Sequence, residues 1–464
     1  MHKVILNGKI QYVTDGTVLS DVLIGSSETV EHICGGKGTC RKCTVTVNGK
    51  KELSCQYRIK SDITVILPEK DEILSETGAK ESGTVTENLC CVLDIGTTTL
   101  AIALVSLDEE KIIKVVTRTN PQRIFGADVI TRIDCCRKNG VENLQQAVVS
   151  EVNKMLVELG VYDINNLYVA GNATMLHLFF GVDCSSMAVA PYTPVFLESR
   201  TDDAENLGIV GVKKVKALPS IATFVGADIV AGLNYVGLPE NGKHNLLVDL
   251  GTNAEIVLFS EKSVLCTAAV AGPCFEGANI SCGMSATNGA IYSYSENAIK
   301  IIGNTKATGV CGTGLIDAIA YLLKYEEIDE TGFMECEEFE IADGVSINQA
   351  DIRQYQLAKS AVYSAILTLM QIKNISFDNI DKMYISGGFS AKINVENAVK
   401  TGLLPAELKN KCVAINNSSL LGTVKYACEN NNLAYFIDNS TYVDLSANPT
   451  FSDLFIKNMM FGDE

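Results

Sequence analysis

The chain has 464 residues, 47% of them apolar, and a formal charge of −17. This length and apolar content support several packed cores, while the acidic surplus argues against nucleic acid or an anionic membrane as a partner. No apolar run reaches the length of a membrane span and the first residues lack a secretory pattern, so a cytoplasmic location is expected.

In chain order, residues 3–13 read as two short strands around an Asn7-Gly8 turn, and Val18 to Leu23 as a short helix. Next comes Cys34-Gly-Gly-Lys-Gly-Thr-Cys40-Arg-Lys-Cys43, then a strand over Thr44–Val47, an Asn48-Gly49 turn and Cys55. This is a small β-grasp pattern with a glycine-rich insertion. Cys34, Cys40, Cys43 and Cys55 follow the spacing C-x5-C-x2-C-x11-C. Glycines let such a loop bend tightly and bring backbone N–H groups to the sulfurs of a cluster, so the spacing predicts a [2Fe–2S] site in a ferredoxin-like domain over residues 1–67. Four thiolates also suit zinc, but structural zinc usually takes two separated knuckles and here the C-x2-C knuckle is single. The chain has 16 cysteines and no export signal, which favours metal ligands and reduced thiols over a disulfide framework. Only four histidines occur, without zinc-type spacing or a His-Asp-Ser relay.

Residues 68–88 are polar and acidic and read as a linker. Beyond them the sequence says one thing twice. Strands are expected at Leu89–Ile95, Leu100–Leu107 and Lys111–Arg118, and again at Asn245–Leu250, Ala254–Phe259 and Ser263–Val270. In each set the first turn carries Asp-x-Gly-Thr, with Asp94, Gly96, Thr97 and Thr98 in one copy and Asp249, Gly251, Thr252 and Asn253 in the other. An amphipathic helix with Leu144, Val148, Val152, Met155 and Leu159 leads to a strand ending Gly171-Asn172. A helix around Ala358–Ile372 leads likewise to Ser386-Gly387-Gly388. The repeat divides the chain into halves over 89–244 and 245–464.

This duplication resembles the actin, sugar kinase and heat-shock ATPase superfamily, which implies two ribonuclease H-like α/β halves closing on ATP. Small Gly and Thr turns would offer N–H and hydroxyl donors to the phosphates, and aspartates would hold Mg²⁺ or its waters. By that likeness Asp94, Gly96, Thr97 and Thr98 face the phosphates from one side, Asp249, Gly251, Thr252 and Asn253 from the other, and Gly387-Gly388 lies along the adenosine. There is no G-x-x-x-x-G-K-[ST] loop. A second glycine-rich turn with Gly312 and Gly314 opens a helix, and reads either as a phosphate contact or as a packing turn. Asp128 and Asp228 each follow Gly-Ala and read as Mg²⁺-water ligands, as helix caps or as hydrogen-bond partners between the halves. Glu255 reads as a water-polarising base or an exposed strand carboxylate, and Glu276 as a cleft or partner contact.

Cysteine loop and duplicated core together resemble the reductive activators of corrinoid-dependent methyltransferases over nearly the whole chain. The segments Asn120–Ile130, Leu218–Asp228 and Ala271–Ala278 carry that resemblance beyond the two domain signatures. It implies that Cys34, Cys40, Cys43 and Cys55 carry one electron from an external low-potential donor to the inactive Co(II) corrinoid of a partner protein. A ferredoxin-type cluster near roughly −400 mV is a weak donor for that step, and ATP would drive it. A homodimer is compatible with the family. Larger members carry an additional domain where this chain has only a short linker. The cobalt belongs to the partner, because the chain lacks an Asp-x-His-x-x-Gly pattern, and His177 reads as helix packing. The rival expectations are an ATP-gated donor to another low-potential metalloenzyme and a non-catalytic redox-sensing ATP-binding module.

Overall fold

The computed structural model describes residues 1–6, 8–25, 43–67, 88–240, 242–388 and 390–462. The N-terminal unit is a five-stranded mixed sheet of β1 (His2–Leu6), β2 (Lys9–Val13), β3 (Thr44–Val47), β4 (Lys50–Leu53) and β5 (Ile63–Ile66), with α1 (Leu19–Gly25) packed on it. The strand order is β2-β1-β5-β3-β4, with β1 and β5 parallel. Alternation decides which side is buried: Val45 and Val47 of β3, and Ile63 and Val65 of β5, point into a core shared with Leu19 and Leu23.

The next sheet is built from β6 (Leu89–Ile95), β7 (Thr99–Ser106) and β8 (Lys111–Thr119), an antiparallel meander. Then follow α2 (Val129–Asn139), α3 (Glu142–Leu159), β9 (Ile164–Gly171), α4 (Ala173–Phe179), β10 (Arg200–Asp203), β11 (Val212–Ala217) and α5 (Ala227–Val236). Strand β9 pairs in parallel with β6, and β11 with β9. Strand β6 is apolar on both faces because helices cover both. The stripe of Leu144, Val148, Val152, Met155 and Leu159 on α3 is buried in the core on one of them.

The pattern recurs in β12 (His244–Leu250), β13 (Ala254–Ser260) and β14 (Ser263–Ala269). Inserted after them are a small sheet of β15 (Ala290–Ser295), β16 (Ala298–Ile301) and β17 (Gly309–Val310), then α6 (Gly312–Lys324) and the hairpin of β18 (Glu338–Ala342) and β19 (Val345–Asn348). Helix α7 (Gln349–Lys373), started by an Asn348/Asp351 capping box, leads to β20 (Ile380–Ser386), α8 (Val395–Lys400) and β21 (Cys412–Ala414). The described chain closes with α9 (Ser418–Glu429), α10 (Ala434–Asp438), β22 (Ser440–Tyr442) and α11 (Pro449–Lys457). The two sheets run β10-β11-β9-β6-β7-β8 and β21-β20-β12-β13-β14-β22. Within them β11-β9-β6-β7-β8 and β21-β20-β12-β13-β14 are the same five-stranded arrangement, three antiparallel strands followed by two parallel ones, each half adding one different edge strand.

The halves interlock. Helix α9, from the second half of the sequence, seats Leu420, Val424 and Ala427 against Cys90, Val92 and Ala101 of the first sheet. It crosses α5 so closely that a Cβ at Gly422 would lie 1.7 Å from the Ala231 carbonyl oxygen. Asn234 Nδ2 donates to the Gly422 carbonyl at 3.0 Å. Among the described residues no helix is long and apolar enough to cross a membrane.

Candidate functional site

The duplication places two like hairpins opposite each other across a cavity of about 600 Å³. At the end of β6, the Gly96 N–H donates to the Thr99 carbonyl at 2.9 Å; at the end of β12, the Gly251 N–H donates to the Asn253 carbonyl at 2.9 Å. Asp94, Gly96, Thr97 and Thr98 line one side, and Asp249, Gly251, Thr252, Asn253 and Glu255 the other, with Asp128, Asp228, Gly387 and Gly388 completing the wall. Strands β9 and β20 approach these hairpins at glycines. A Cβ at Gly171 would lie 2.7 Å from the Ile95 carbonyl oxygen, and one at Gly387, whose φ is +110°, only 2.2 Å from that of Leu250.

The aspartates are held by matched hydroxyls. Ser419 Oγ donates to Asp94 at 2.7 Å, and Ser386 Oγ donates to Asp249. Burial lifts Asp94 to about 6 against the pull of the Ser419 and Asn417 hydrogen bonds, and the charge of Asp249 adds to the rise. Asp228 is pushed to about 7 by burial first and then by the charges of Asp249 and Asp94. Burial also raises Asp249, and raises Glu255 well above the usual carboxylate range, with Asp249 and Asp228 contributing to the latter. So many mutually repelling carboxylates favour a bound cation. Among the described residues no three His, Cys, Asp or Glu side chains form a group that would hold an ion directly. Asp94, Asp228 and Asp249 would meet a cation such as Mg²⁺ through its waters, with phosphate oxygens as further ligands.

Asp128 is the N-cap of α2, accepting from the Thr131 N–H at 2.8 Å, and it also lines the cavity. Asp228 lies in the first turn of α5 and accepts from the Ile229 N–H at 2.9 Å. Glu255 is not an exposed strand carboxylate: it stands opposite Asp249 in the β12–β13 register and is half-buried in the cleft. Glu276 joins the hairpins, accepting from Thr252 Oγ1 at 2.6 Å and from Thr98 Oγ1 at 3.5 Å. Gly312 and Gly314 are set back from the cavity wall. Added Cβ atoms there would come within 2.2 Å of the Phe275 and Ile291 carbonyl oxygens, so these glycines serve close packing, while Cys311 and Thr313 of the same turn reach the wall.

Sequence reasoning named Asn172 and Ser386 only as ends of repeated strands and did not single out Asn417 or Ser419. Asn172 caps α4 and donates to Thr97 Oγ1 at 3.2 Å, and Asn417 caps α9. Their signal was present as Asn immediately before the start of an apolar helix, a capping pattern that carries no hint of a cleft. His177 packs as expected: its Nε2 accepts from the Val195 N–H at 3.0 Å, which leaves Nδ1 to donate to the Ala173 carbonyl at 2.7 Å.

In the N-terminal unit the β3–β4 hairpin pairs Thr44 with Leu53, which brings the flanking Cys43 and Cys55 together. Both are buried, and their Sγ atoms lie 3.2 Å apart, close enough to share one metal. Cys34 and Cys40 lie outside the described residues. Cys412 and Cys428 are half-buried, and burial pushes both thiols up to about 11.

Comparison with known proteins agrees with this architecture. Residues 243–464 match the model described as the C-terminal domain of RACo, the ASKHA domain, and residues 89–241 match the RACo middle region. The chain is 28% identical over 415 residues to the corrinoid activation enzyme RamQ of Eubacterium limosum, covering 80% of this chain and 70% of that protein. It is 23% identical over 423 residues to the [Co(II) methylated amine-specific corrinoid protein] reductase of Methanosarcina barkeri, covering 80% and 76%. A solved structure of a reductive activator for a corrinoid, iron-sulfur protein superposes with a TM-score of 0.72 at 27% identity, covering 99% of this chain and 98% of that one. The two family models fall on the interlocked halves that enclose the carboxylate cleft, and the chain belongs to the family of reductive activators of corrinoid proteins.

Proposed function

We propose that the protein uses ATP to drive one electron onto the inactive Co(II) corrinoid of a partner protein, returning it to Co(I) for methyl transfer. The observation that carries the reading is the pair of Asp-x-Gly-Thr hairpins facing each other across one cavity, with Asp94, Asp228, Asp249 and Glu255 between them. The threonine hydroxyls and backbone N–H groups of the hairpins bind phosphate oxygens, and Asp94 and Asp249, steadied by Ser419 and Ser386, hold the waters of Mg²⁺. With a cation offsetting the charges of Asp249 and Asp228, Glu255 would be ionised and would accept a proton from a water attacking the terminal phosphorus of ATP, the bond to the bridging oxygen breaking and ADP leaving.

The N-terminal unit, residues 1–67, is read as the ferredoxin-like electron carrier, joined through residues 68–88 to the ATPase halves at 89–244 and 245–464. The adjacent Cys43 and Cys55, at 3.2 Å, support a shared metal and with Cys34 and Cys40 would hold a [2Fe–2S] cluster. When bound, that cluster supplies single low-potential electrons, replenished by an external donor. The names of the relatives, an activation enzyme and a corrinoid protein reductase, support a corrinoid protein as the acceptor.

The test is anaerobic. Reconstituted protein, a reductant and a Co(II)-corrinoid partner from a methyltransferase system are mixed, and Co(I) is followed by its visible absorbance. Reduction that requires ATP is expected. An equal yield of Co(I) without nucleotide overturns the coupling, and reduction confined to a corrinoid-free metalloenzyme overturns the acceptor.

A further inference from the structure

The segment from Asn120 to Arg132, running from the end of β8 into the first turn of α2, lies directly behind the first hairpin. Asn120 is fully buried; its N–H donates to the Thr98 carbonyl at 2.8 Å and its Nδ2 to the Gly96 carbonyl at 2.8 Å. Arg132 is fully buried as well, with Nη2 donating to the Thr97 carbonyl at 2.5 Å and Nε to the Gly126 carbonyl at 2.9 Å. Three successive hairpin carbonyls are therefore gripped from behind. In a trans peptide the C=O and the next N–H point in opposite directions, so this grip turns the N–H groups of Thr97, Thr98 and Thr99 away from Asn120 and Arg132, and all three residues line the cavity.

Arg132 also brings charge. Its other side-chain contacts are Gln122 Oε1 at 3.4 Å and Met175 Sδ at 3.0 Å, and among the described residues no carboxylate stands within ion-pair distance. Burial draws it down to about 9, the nearby positive charge of Arg123 adds to the fall, and Asp128 and Glu276 oppose it from longer range, which leaves it protonated at neutral pH. A buried guanidinium that meets only neutral atoms is costly unless a nearby anion compensates it. Among the described residues no side chain grips the Gly251 or Thr252 carbonyl of the second hairpin in the same way.

We propose that Asn120 and Arg132 are positioning residues for the polyphosphate: they fix the first hairpin with its N–H groups toward the cleft and set a positive charge, without an ion-pair partner among the described residues, a single peptide behind it. The proposal rests on the reading of the cleft as a nucleotide site. It makes the first hairpin a preformed, charge-backed phosphate cradle and leaves the second hairpin as the one that adjusts.

The experiment is calorimetric titration of the full-length protein with ATP, ADP, AMP and adenosine, for the wild type, Arg132→Met, Arg132→Lys and Asn120→Ser, with circular dichroism to check folding. In Arg132→Met the affinity for ATP is expected to fall roughly tenfold or more, the loss shrinking through ADP to AMP and vanishing for adenosine. Arg132→Lys, which keeps the charge but not the fork, recovers part of the ATP affinity. Asn120→Ser keeps the charge and the backbone bond to the Thr98 carbonyl and frees the Gly96 carbonyl, so it weakens ATP and ADP binding alike. Equal losses for ATP and adenosine identify a merely structural role and overturn the proposal, as does an unchanged ATP affinity in folded Arg132→Met. Should that variant not fold, the Arg132→Lys and Asn120→Ser series decides by the same criterion. Failure of the wild type to bind ATP at all instead removes the nucleotide reading beneath it.

Discussion

Asp228→Asn tests the electrostatics of the cleft most directly. Asp228 titrates near 7 in the folded protein against 3.8 in a free chain. Below 3.8 the carboxyl is protonated in both states and contributes nothing. Between these values the folded protein keeps a proton that the unfolded chain has released, so stability falls as pH rises; above about 7 the penalty is constant. At about 1.4 kcal/mol per pH unit, the wild type carries a penalty of about 4 kcal/mol at pH 8. Asp94 and Asp249 share that repulsion and relax when it is removed, so a gain of about 2–4 kcal/mol is expected for the variant. The asparagine oxygen can still accept from the Ile229 N–H, now at 2.9 Å, so little else should change. Urea unfolding at several pH values and constant ionic strength measures the difference, which should open between about pH 4 and pH 7. Mg-ATP should stabilise the wild type more than the variant at pH 8. A difference independent of pH, or a variant less stable than wild type at pH 8, would refute the reasoning.

Three further outcomes are expected. Glu276→Gln removes a negative charge that now occupies the two hairpin hydroxyls, at 2.6 and 3.5 Å; ATP affinity measured in EDTA should rise about tenfold, and less with Mg²⁺ present. Cys55→Ser, at one of the paired thiols of the N-terminal unit, should lose most of the reconstituted iron and all Co(II) reduction while ATP binding, followed by calorimetry, stays at the wild-type level. Gly387→Ala forces a methyl to 2.2 Å from the Leu250 carbonyl at a φ of +110° and should cost about 3 kcal/mol or more in thermal unfolding, whereas Gly388→Ala, with nothing within 4 Å, should cost far less.

Much of the core was legible because duplication is a sequence property. The strands around Asp94 and Asp249 fall within a residue or two of their expected bounds, and the helix over Leu144–Leu159 buries the stripe its spacing marked out. Residues that act through tertiary contact were not legible. Ser419 lies 325 positions from Asp94, and no local pattern connects a serine in the first turn of a late helix with an early strand. The Gly312–Gly314 turn illustrates the converse: glycine before a helix suits a phosphate and suits a tight backbone crossing equally, and only the position of the Phe275 and Ile291 carbonyls separates the two. Glu255 looked like any strand carboxylate because its burial depends on what the opposite half brings over it.

The crossing of α5 and α9 bears on how the chain is divided. Sequence repeats part near residue 244, yet each half completes its packing with a helix supplied by the other. The loop near Leu238 and Pro239 joins pieces that are already held by apolar contact, so a protease nick there should release no fragment under native conditions. Expressed separately, each piece would bare an apolar helix face and fail; expressed together, they should reconstitute. Because the backbones of Ala231 and Gly422 already touch, they can be neither squeezed nor drawn apart cheaply. A response to ligand across this seam is therefore a pivot about a fixed axle, which would turn small changes at the hairpins into larger sweeps at the outer edges of the two sheets.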